Sequence, residues 1–577
     1  MIDTQFYDFE VTKYDWLVVC IDPSAGSTEV IVNDKEHLRQ YYEAHKDEIW
    51  VGYNSRNYDQ YILKGILLGF NPKKISDFII EEGNKGWEYS STFNEIQLYN
   101  YDCSNKFNSL KQLEGFMGNS VEETEVPFNI DRKLTQEEID SMIKYCTHDV
   151  EQTMEVFLRT KATFDAHIAM LKTFDLGLKN ISKTQAQLSA LALGCVRQDH
   201  FDEWDLQFVD TLRIKKYADV IEWFKASAEL PYDRKTKYQQ SLTVNVCGIP
   251  HQFGWGGLHG APDHPIHRKG LILHVDVTSY YPSLMIRYDL LSRNVKDKSV
   301  YKKIYDTRVK LKAEGKKVEQ APYKIILNST YGICKDPSSS AYDPRQANNV
   351  CVNGQLLLLD LLEHLEKVEG FELIQSNTDG LIIQIPDTDE AFDRVDDVCW
   401  EWEQRTGMSL GFDVITEIFQ KDVNNYVFRF ENGKIERKGA YVKPLSDLDN
   451  DLPIVNKALV DYIVDGIPVK QTIMQATKLK DFQKIVKVSS KYICAYHNCD
   501  YRWNKTFRVF ASKRKQDTFI GKVKNRDGCE VIEKFANTPE NCFIENGDIN
   551  DAPVPEKLDR QYYIDLANKR LEQFGVS

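Results

Sequence analysis

Hydrophobic and polar positions divide the chain into strand-like and helix-like stretches. Phe6 to Val11 and Leu17 to Ile21 are rich in aromatic and β-branched residues and are separated by a polar turn, which predicts paired strands at the head of an α/β region. Further on, LTQEEIDSMIKYCTHDVEQTMEVF places Ile139, Met142, Ile143, Cys146, Val150, Met154 and Phe157 at helical intervals. Thr135 and Glu138 open it with the spacing of a capping box, so an amphipathic helix with one buried face is expected. Residues 166–245 read as mainly helical and carry no motif with evident chemistry. LILHV then runs as a strand into Asp276, and FELIQSNTDGLIIQIP reads as two apolar strands around Asp379-Gly380, a dipeptide that favours a tight hairpin. Between them lie two basic helical stretches, Tyr301 to Glu314 and Pro322 to Tyr331, joined across Gly315. Helical and extended patterns alternate after about residue 445.

Length and composition narrow the class. At roughly 100–200 residues per domain, 577 residues predict three to five domains. With 42% hydrophobic and 28% charged residues the chain is expected to fold around sizeable cores. Its net charge of −14 argues against a wholly basic nucleic-acid coat and against membrane adhesion by bulk charge. The start MIDTQFYDFE lacks a signal-peptide pattern and no stretch is apolar enough to span a bilayer, so a cytoplasmic protein without a membrane partner is expected. Twelve cysteines without a CxxC pair fit reduced thiols. Cys494, His497 and Cys499 lack a nearby fourth zinc ligand, and buried thiols are the preferred reading.

Candidate chemistry begins with Asp8 and Glu10, two apart on a predicted strand and therefore on one face. Asp59 and Asp149 would complete a four-carboxylate site, with Tyr145 one helical turn before Asp149 and both beside the apolar stripe. A lone acidic pair is most often solvated surface charge; order and context lift this set. The series Asp8-x-Glu10, then Asn54-xxx-Tyr58-Asp59, then Tyr145-xxx-Asp149 resembles the three motifs of proofreading 3′→5′ exonucleases. Downstream, Asp276-Val-Thr-Ser279-Tyr280-Tyr281-Pro282-Ser283, Lys324-xxx-Asn328-Ser329-x-Tyr331-Gly332 and Asn377-Thr378-Asp379-Gly380 resemble the three polymerase motifs of family B DNA polymerases. From residue 6 to about 441 the chain is similar to a compact family B polymerase of the bacteriophage or mobile-element type.

That resemblance implies an α/β and α+β multidomain fold, with an RNase H-like exonuclease domain followed by a right-hand palm, fingers and thumb. The implied boundaries are residues 1–165 for the exonuclease, 166–245 for the connector, 246–283 and 346–445 for the palm, 284–345 for two-helix fingers and 446–577 for the thumb. It implies two Mg²⁺ per active site, with Mn²⁺ as a substitute, held by Asp276, Val277 and Asp379 in one and by Asp8, Glu10 and Asp149 in the other. Two metals suit in-line phosphoryl transfer because they stabilise both the attacking and the leaving oxygen. Lys324, Asn328 and Tyr331 recur at i, i+4 and i+7, so a cation, a polar group and an aromatic share one helix face, and Arg308 and Lys312 add a second cationic pair for a nucleotide. Tyr281 falls where related polymerases use an aromatic as a steric gate against ribose.

For DNA, the resemblance points to Asn54, Gly256, Gly257 and Gly332, and to Lys438 and Tyr441 in a loose version of the KxY element. The usual tyrosine before the Gly-Gly pair is Gly254 here, and Asn377 replaces the usual first aspartate of the third motif. Lys505 to Arg526 holds eight basic residues against one acidic, with Phe507, Phe510 and Phe519 interleaved, and offers Lys513, Arg514, Lys522 and Lys524 to duplex phosphates. Primer-template DNA and dNTPs are the implied partners of a monomer, with a helicase and a single-strand-binding protein as helpers. Only 42 residues separate Tyr281 from Lys324 and 44 separate Gly332 from Asn377, which leaves no room for the inserted subdomains of protein-primed relatives. An ordinary primer and weak strand displacement are therefore expected. Two rival readings are a nuclease whose polymerase site has decayed and a non-catalytic DNA-binding replication accessory.

Overall fold

The computed structural model describes residues 3–105, 107–439, 441–526 and 528–576. They divide into two compact units. The first runs to Lys183 and takes in Leu445–Val455 and Lys470–Ile564; the second holds Thr184–Pro444, Asn456–Val469 and the residues from Asp565 onward. The stretch 446–577, expected as one domain, is thus divided between them. Among the described residues no helix is long and apolar enough to cross a membrane.

The first unit is built on a five-stranded sheet ordered β3-β2-β1-β4-β5, from β1 (Thr4–Val11), β2 (Trp16–Asp22), β3 (Ser27–Val32), β4 (Ile49–Gly52) and β5 (Tyr99–Asp102). The two predicted N-terminal strands pair antiparallel, Phe9 opposite Val18, while β4 joins β1 in parallel. Because β1 and β2 are covered on both faces, their apolar positions run nearly unbroken instead of alternating. The helix Gln136–Arg159 starts at the Thr135/Glu138 capping box and buries Met142, Cys146, Val150 and Phe157. Asp149 lies within this buried stripe, only 8% exposed, and not beside it as the pattern had suggested.

Residues 484–544 add two small sheets to this unit, one of Lys484–Lys487, Thr506–Ala511 and Cys542–Ile544, the other of Cys494–His497, Asp500–Arg502, Gly521–Arg526 and Cys529–Lys534. The basic segment expected to face phosphates is partly core. Phe507 and Phe510 are buried, and Arg508 is fully buried, donating to the carbonyls of Gly115, Asn119, Glu545 and Gly547. Burial lowers the Arg508 pKa to about 10. A buried guanidinium whose two terminal nitrogens donate to four backbone carbonyls ties this loop cluster together and is not placed to meet a phosphate.

The second unit is built on a nine-stranded sheet ordered β14-β13-β12-β9-β11-β10-β8-β7-β6. Its strands are β6 (Ser241–Val246), β7 (Ile249–Gly254), β8 (His259–Gly260), β9 (Ile266–Val277), β10 (Glu372–Asn377), β11 (Gly380–Gln384), β12 (Leu410–Asp422), β13 (Asn425–Phe430) and β14 (Ile435–Lys438). The Asp379-Gly380 hairpin joins β10 to β11, and β9 lies between β11 and β12. The basic helices are Lys298–Ala313 and Lys317–Lys335, turned at Gly315 with φ +71°. The span from Tyr281 to Lys324 is occupied by them and by Tyr280–Arg287, and the span from Gly332 to Asn377 by the helix Pro344–Leu365 and β10.

The helix Pro344–Leu365 is buried almost all round, and its polar positions explain why residues 166–245 are less helical than their pattern predicted. Helices cover Lys161–Thr173, Gln185–Ala192, Ala218–Glu229 and Arg234–Tyr238, but the chain between Cys195 and Tyr217 holds none. There backbone N–H groups of Gln207, Val209, Arg213 and Lys215 donate to side chains of Asn349, Asn353, Asp360 and Glu363. Side chains recurring along one helix face thus replace the intrahelical bonds this segment forgoes.

Candidate functional site

Each unit gathers carboxylates. In the first, β1 carries Asp8 and Glu10, Asp59 opens the helix Asp59–Leu68, and Asp149 projects from Gln136–Arg159. The Phe9 N–H donates to Asp59 Oδ1 at 3.2 Å, and the Cys146 thiol donates to the Asp8 carbonyl at 3.3 Å, so strand and helices are fixed to one another at the acids. Burial, then the mutual repulsion of the set, pushes the carboxyls of Asp8 and Glu10 well above the usual range. Burial carries Asp59 to about 7, opposed by backbone donors, and Asp149 to about 6, opposed by Lys111.

Three residues of this cluster went unrecognised in the sequence. Lys111 pairs with Asp149 and, at 3.0 Å, with Glu114, and its ammonium lies 4.7 Å from the Tyr145 ring centroid. His148 Nε2 stands 3.6 Å from Glu114. Lys111 and Glu114 at i, i+3 look like an ordinary solvated helix pair; the available signal was an acid inside the apolar run Leu113 to Met117, where Glu114 is fully buried. Asn54, by contrast, is exposed in a left-handed conformation with φ +62°, its N–H on Asp102 and its side-chain oxygen accepting from Asn57.

The second cluster is laid out by sheet register. Asp276, near the end of β9, faces Gly380 on β11 and Gly411 on β12. A Cβ on Gly411 would stand 3.0 Å from Asp276 Oδ1, and one on Gly380 would stand 3.2 Å from Asp276 Cβ. Glycine on both sides gives the carboxylate a notch that a larger residue would invade. The Val277 N–H donates to the Asp379 carbonyl at 2.8 Å, which sets the hairpin tip against the end of β9. Burial and then Asp276 raise the Asp379 carboxyl, while His274 and Lys438 oppose the rise. Asn377 closes β10 opposite His259, and Thr378 takes φ +49° at the turn.

Gly257 serves this turn directly: a Cβ there would meet Thr378 Oγ1 at 2.5 Å, and the Thr378 N–H donates to the Leu258 carbonyl at 2.7 Å. The Gly256 carbonyl accepts from the Cys351 thiol at 2.7 Å and the Gln355 amide at 2.8 Å, while its Cβ position opens onto empty space. The Tyr281 ring packs 4.8 Å from the Tyr331 ring. Arg308 donates to the Ser279 hydroxyl, joining the basic helix pair to the Asp276 segment. Lys324, Asn328 and Gly332 present an exposed row on Lys317–Lys335, and Lys312 is exposed on the neighbouring helix.

The remaining basic candidates scatter. Lys438 ends β14 with its ammonium 5.8 Å from the Tyr426 ring centroid; Tyr441 packs under Arg570, and Ala440 between them lies outside the described residues. Lys513 and Arg514 are exposed, whereas Lys524 pairs with Glu533 and Lys522 stands 4.6 Å from the Tyr492 ring centroid. His497 Nε2 lies 2.9 Å from the Cys542 carbonyl, and Cys499 is exposed.

Close-set buried carboxyls held above their usual range suit a divalent cation, whose charge would relieve the repulsion; the first cluster meets that description, and in the second the Asp379 carboxyl is raised beside a half-buried Asp276. Asp8, Glu10, Asp59 and Asp149 offer oxygen donors in one unit, Asp276 and Asp379 in the other.

No family model matches this chain. It is 22% identical over 346 residues to DNA polymerase 1 of Aeropyrum pernix, a match covering 53% of this chain and 33% of that protein. The chain thus spans about a third of the length of that curated relative. Against the structure of the family B DNA polymerase from the hyperthermophilic archaeon Pyrobaculum calidifontis the TM-score is 0.44 at 15% identity, covering 100% of this chain and 78% of that one.

Proposed function

We propose that this chain is a template-directed DNA polymerase that extends a primer 3′-OH with dNTPs and removes mismatched 3′ ends by 3′→5′ digestion. The observation that carries the reading is the gathering of the motif carboxylates into two clusters, Asp8, Glu10, Asp59 and Asp149 in one unit and Asp276 with Asp379 in the other. The sequence likeness to a DNA polymerase of Aeropyrum pernix supports it. Mg²⁺ at these oxygens would neutralise phosphate charge and lower the pKa of the attacking hydroxyl or water.

In this reading the chain's own groups divide the work. Lys324 and Lys312 attract the triphosphate, Arg308 holds Ser279 beside Asp276, and Tyr281 lies beneath the incoming sugar, where a ribose 2′-OH would meet its ring. Lys438, Lys513 and Arg514 contact phosphates. In the other unit Tyr145 and Lys111 stand beside Asp149, where a hydrolysed phosphate would need a donor and a cation. The protein acts in the cytoplasm, in a bacterial host if phage-borne, as a monomer on an ordinary primer, assisted by a helicase and single-strand-binding protein.

Asn377 favours the second reading, a nuclease whose polymerase site has decayed. Primer extension on primed single-stranded DNA with Mg²⁺ and dNTPs separates the readings: extension supports the polymerase, degradation alone the nuclease, and binding alone a non-catalytic accessory. Long displacement products from the enzyme alone, on a circle carrying a downstream blocking strand, would refute weak strand displacement.

A further inference from the structure

Resting on the polymerase reading, the geometry points to Lys335 as a positioning residue for sugar discrimination, one that holds Tyr331 against Tyr281. Lys335 ends the helix Lys317–Lys335, one turn beyond Tyr331. Its Nζ donates to the Trp255 carbonyl at 2.8 Å and lies 3.4 Å from the Tyr331 hydroxyl. The same ammonium stands 4.9 Å from the Tyr238 ring centroid and 5.8 Å from that of Tyr331. Tyr238 packs in turn on Trp204 and Trp255. The partners of this cation are a carbonyl and aromatic faces, an environment that orients a lysine more tightly than a surface ion pair does.

The tether joins three sequence-distant pieces. Trp255 lies between Gly254 and the Gly256-Gly257 turn; from the helix Pro344–Leu365, Cys351 and Gln355 donate to the Gly256 carbonyl and Gln355 also to that of Gly254. That turn is therefore a fixed anchor, and Lys335 reaches from it to Tyr331. Two walls adjoin Tyr281. One is Gly354, where a Cβ would stand 3.4 Å from Tyr281 Cε1; the other is Tyr331, 4.8 Å away between centroids. The Gly354 wall is the core of a buried helix, whereas the Tyr331 wall is a side chain whose hydroxyl end Lys335 steadies. Cutting the tether lets Tyr331 swing, and Tyr281 can then yield to a 2′-OH.

The test is single-nucleotide insertion of a dNTP and the matching rNTP by wild type, Lys335→Met and Lys335→Arg. Lys335→Met should lower the dNTP/rNTP preference about tenfold, through a reduced KM for the rNTP with kcat for the dNTP nearly kept, as expected for one cation–aromatic and hydrogen-bonded contact. Lys335→Arg, which keeps charge and donors, should restore most of the preference. An unchanged preference in Lys335→Met, whatever the total activity, overturns the inference while leaving the polymerase reading standing. Failure of wild type to extend any primer overturns that reading and this inference with it. If Lys335→Met does not fold, Lys335→Gln is read by the same ratio.

Discussion

The two carboxylate clusters solve the same electrostatic problem in opposite ways. In the first unit, four acids arrive from a strand and two helices into a buried setting, where Lys111 supplies local positive charge and the carboxyls of Asp59 and Asp149 sit near 7 and 6. In the second, Asp276 and Asp379 stand at a strand end and a hairpin tip, with glycines flanking Asp276 on the neighbouring strands. Packing forces the first set together against its own repulsion; register and small residues merely place the second pair. The first cluster should therefore depend on a cation for stability as well as for chemistry, the second for chemistry alone.

The sharpest way to break the comparison is to remove one cluster at a time. Asp379→Asn should reduce primer extension by about a thousandfold or more while leaving digestion of a 3′ mismatch intact, since metal charge neutralisation carries phosphoryl transfer. Asp8→Ala with Glu10→Ala should do the reverse. Loss of both activities in either variant, read on matched and mismatched primers, would show that the clusters do not act separately.

The stability contrast is next in size. The folded Asp59 carboxyl, raised to about 7, keeps a proton that the unfolded chain releases near pH ~4, so metal-free stability falls as pH rises through that window and the deficit is complete above it. Asp59→Asn should accordingly stabilise the metal-free protein at pH ~8 by up to about 4 kcal/mol and much less at pH ~4. Thermal melts in chelator at both pH values, repeated with Mg²⁺, measure it; equal shifts at the two pH values would contradict the assignment.

The register argument predicts a smaller effect. Gly411→Ala brings a Cβ to 3.0 Å from Asp276 Oδ1 and should slow extension about tenfold to a hundredfold with little change in digestion. Smallest of all, Asn377→Ala should cost under about tenfold, because Asn377 pairs with β8 across the sheet while Asp379 faces Asp276. Equal losses for Asn377→Ala and Asp379→Asn in steady-state extension would assign Asn377 an essential contact.

The chain's own pattern was enough for elements whose signals are local: the Phe6–Val11 and Leu17–Ile21 pair, the Thr135-capped helix, the Asp379-Gly380 hairpin and the two basic helices follow from periodicity, capping and turn chemistry within short windows. The acids themselves were legible because their order and spacing stand out. Only the tertiary structure decided what surrounds them. Lys111, Glu114 and His148 join Asp149 through packing between two helices, and Gly411 matters to Asp276 because β12 lies beside β9. Within the basic segment, Arg508 is a buried tie because carbonyls distant in sequence close around it. The chain between Cys195 and Tyr217 lost its expected helices because side chains of a buried helix take up its N–H groups. Local signals act through backbone geometry over a few residues, whereas burial and pairing depend on which distant segment arrives alongside, and a residue's own neighbours in sequence do not encode that.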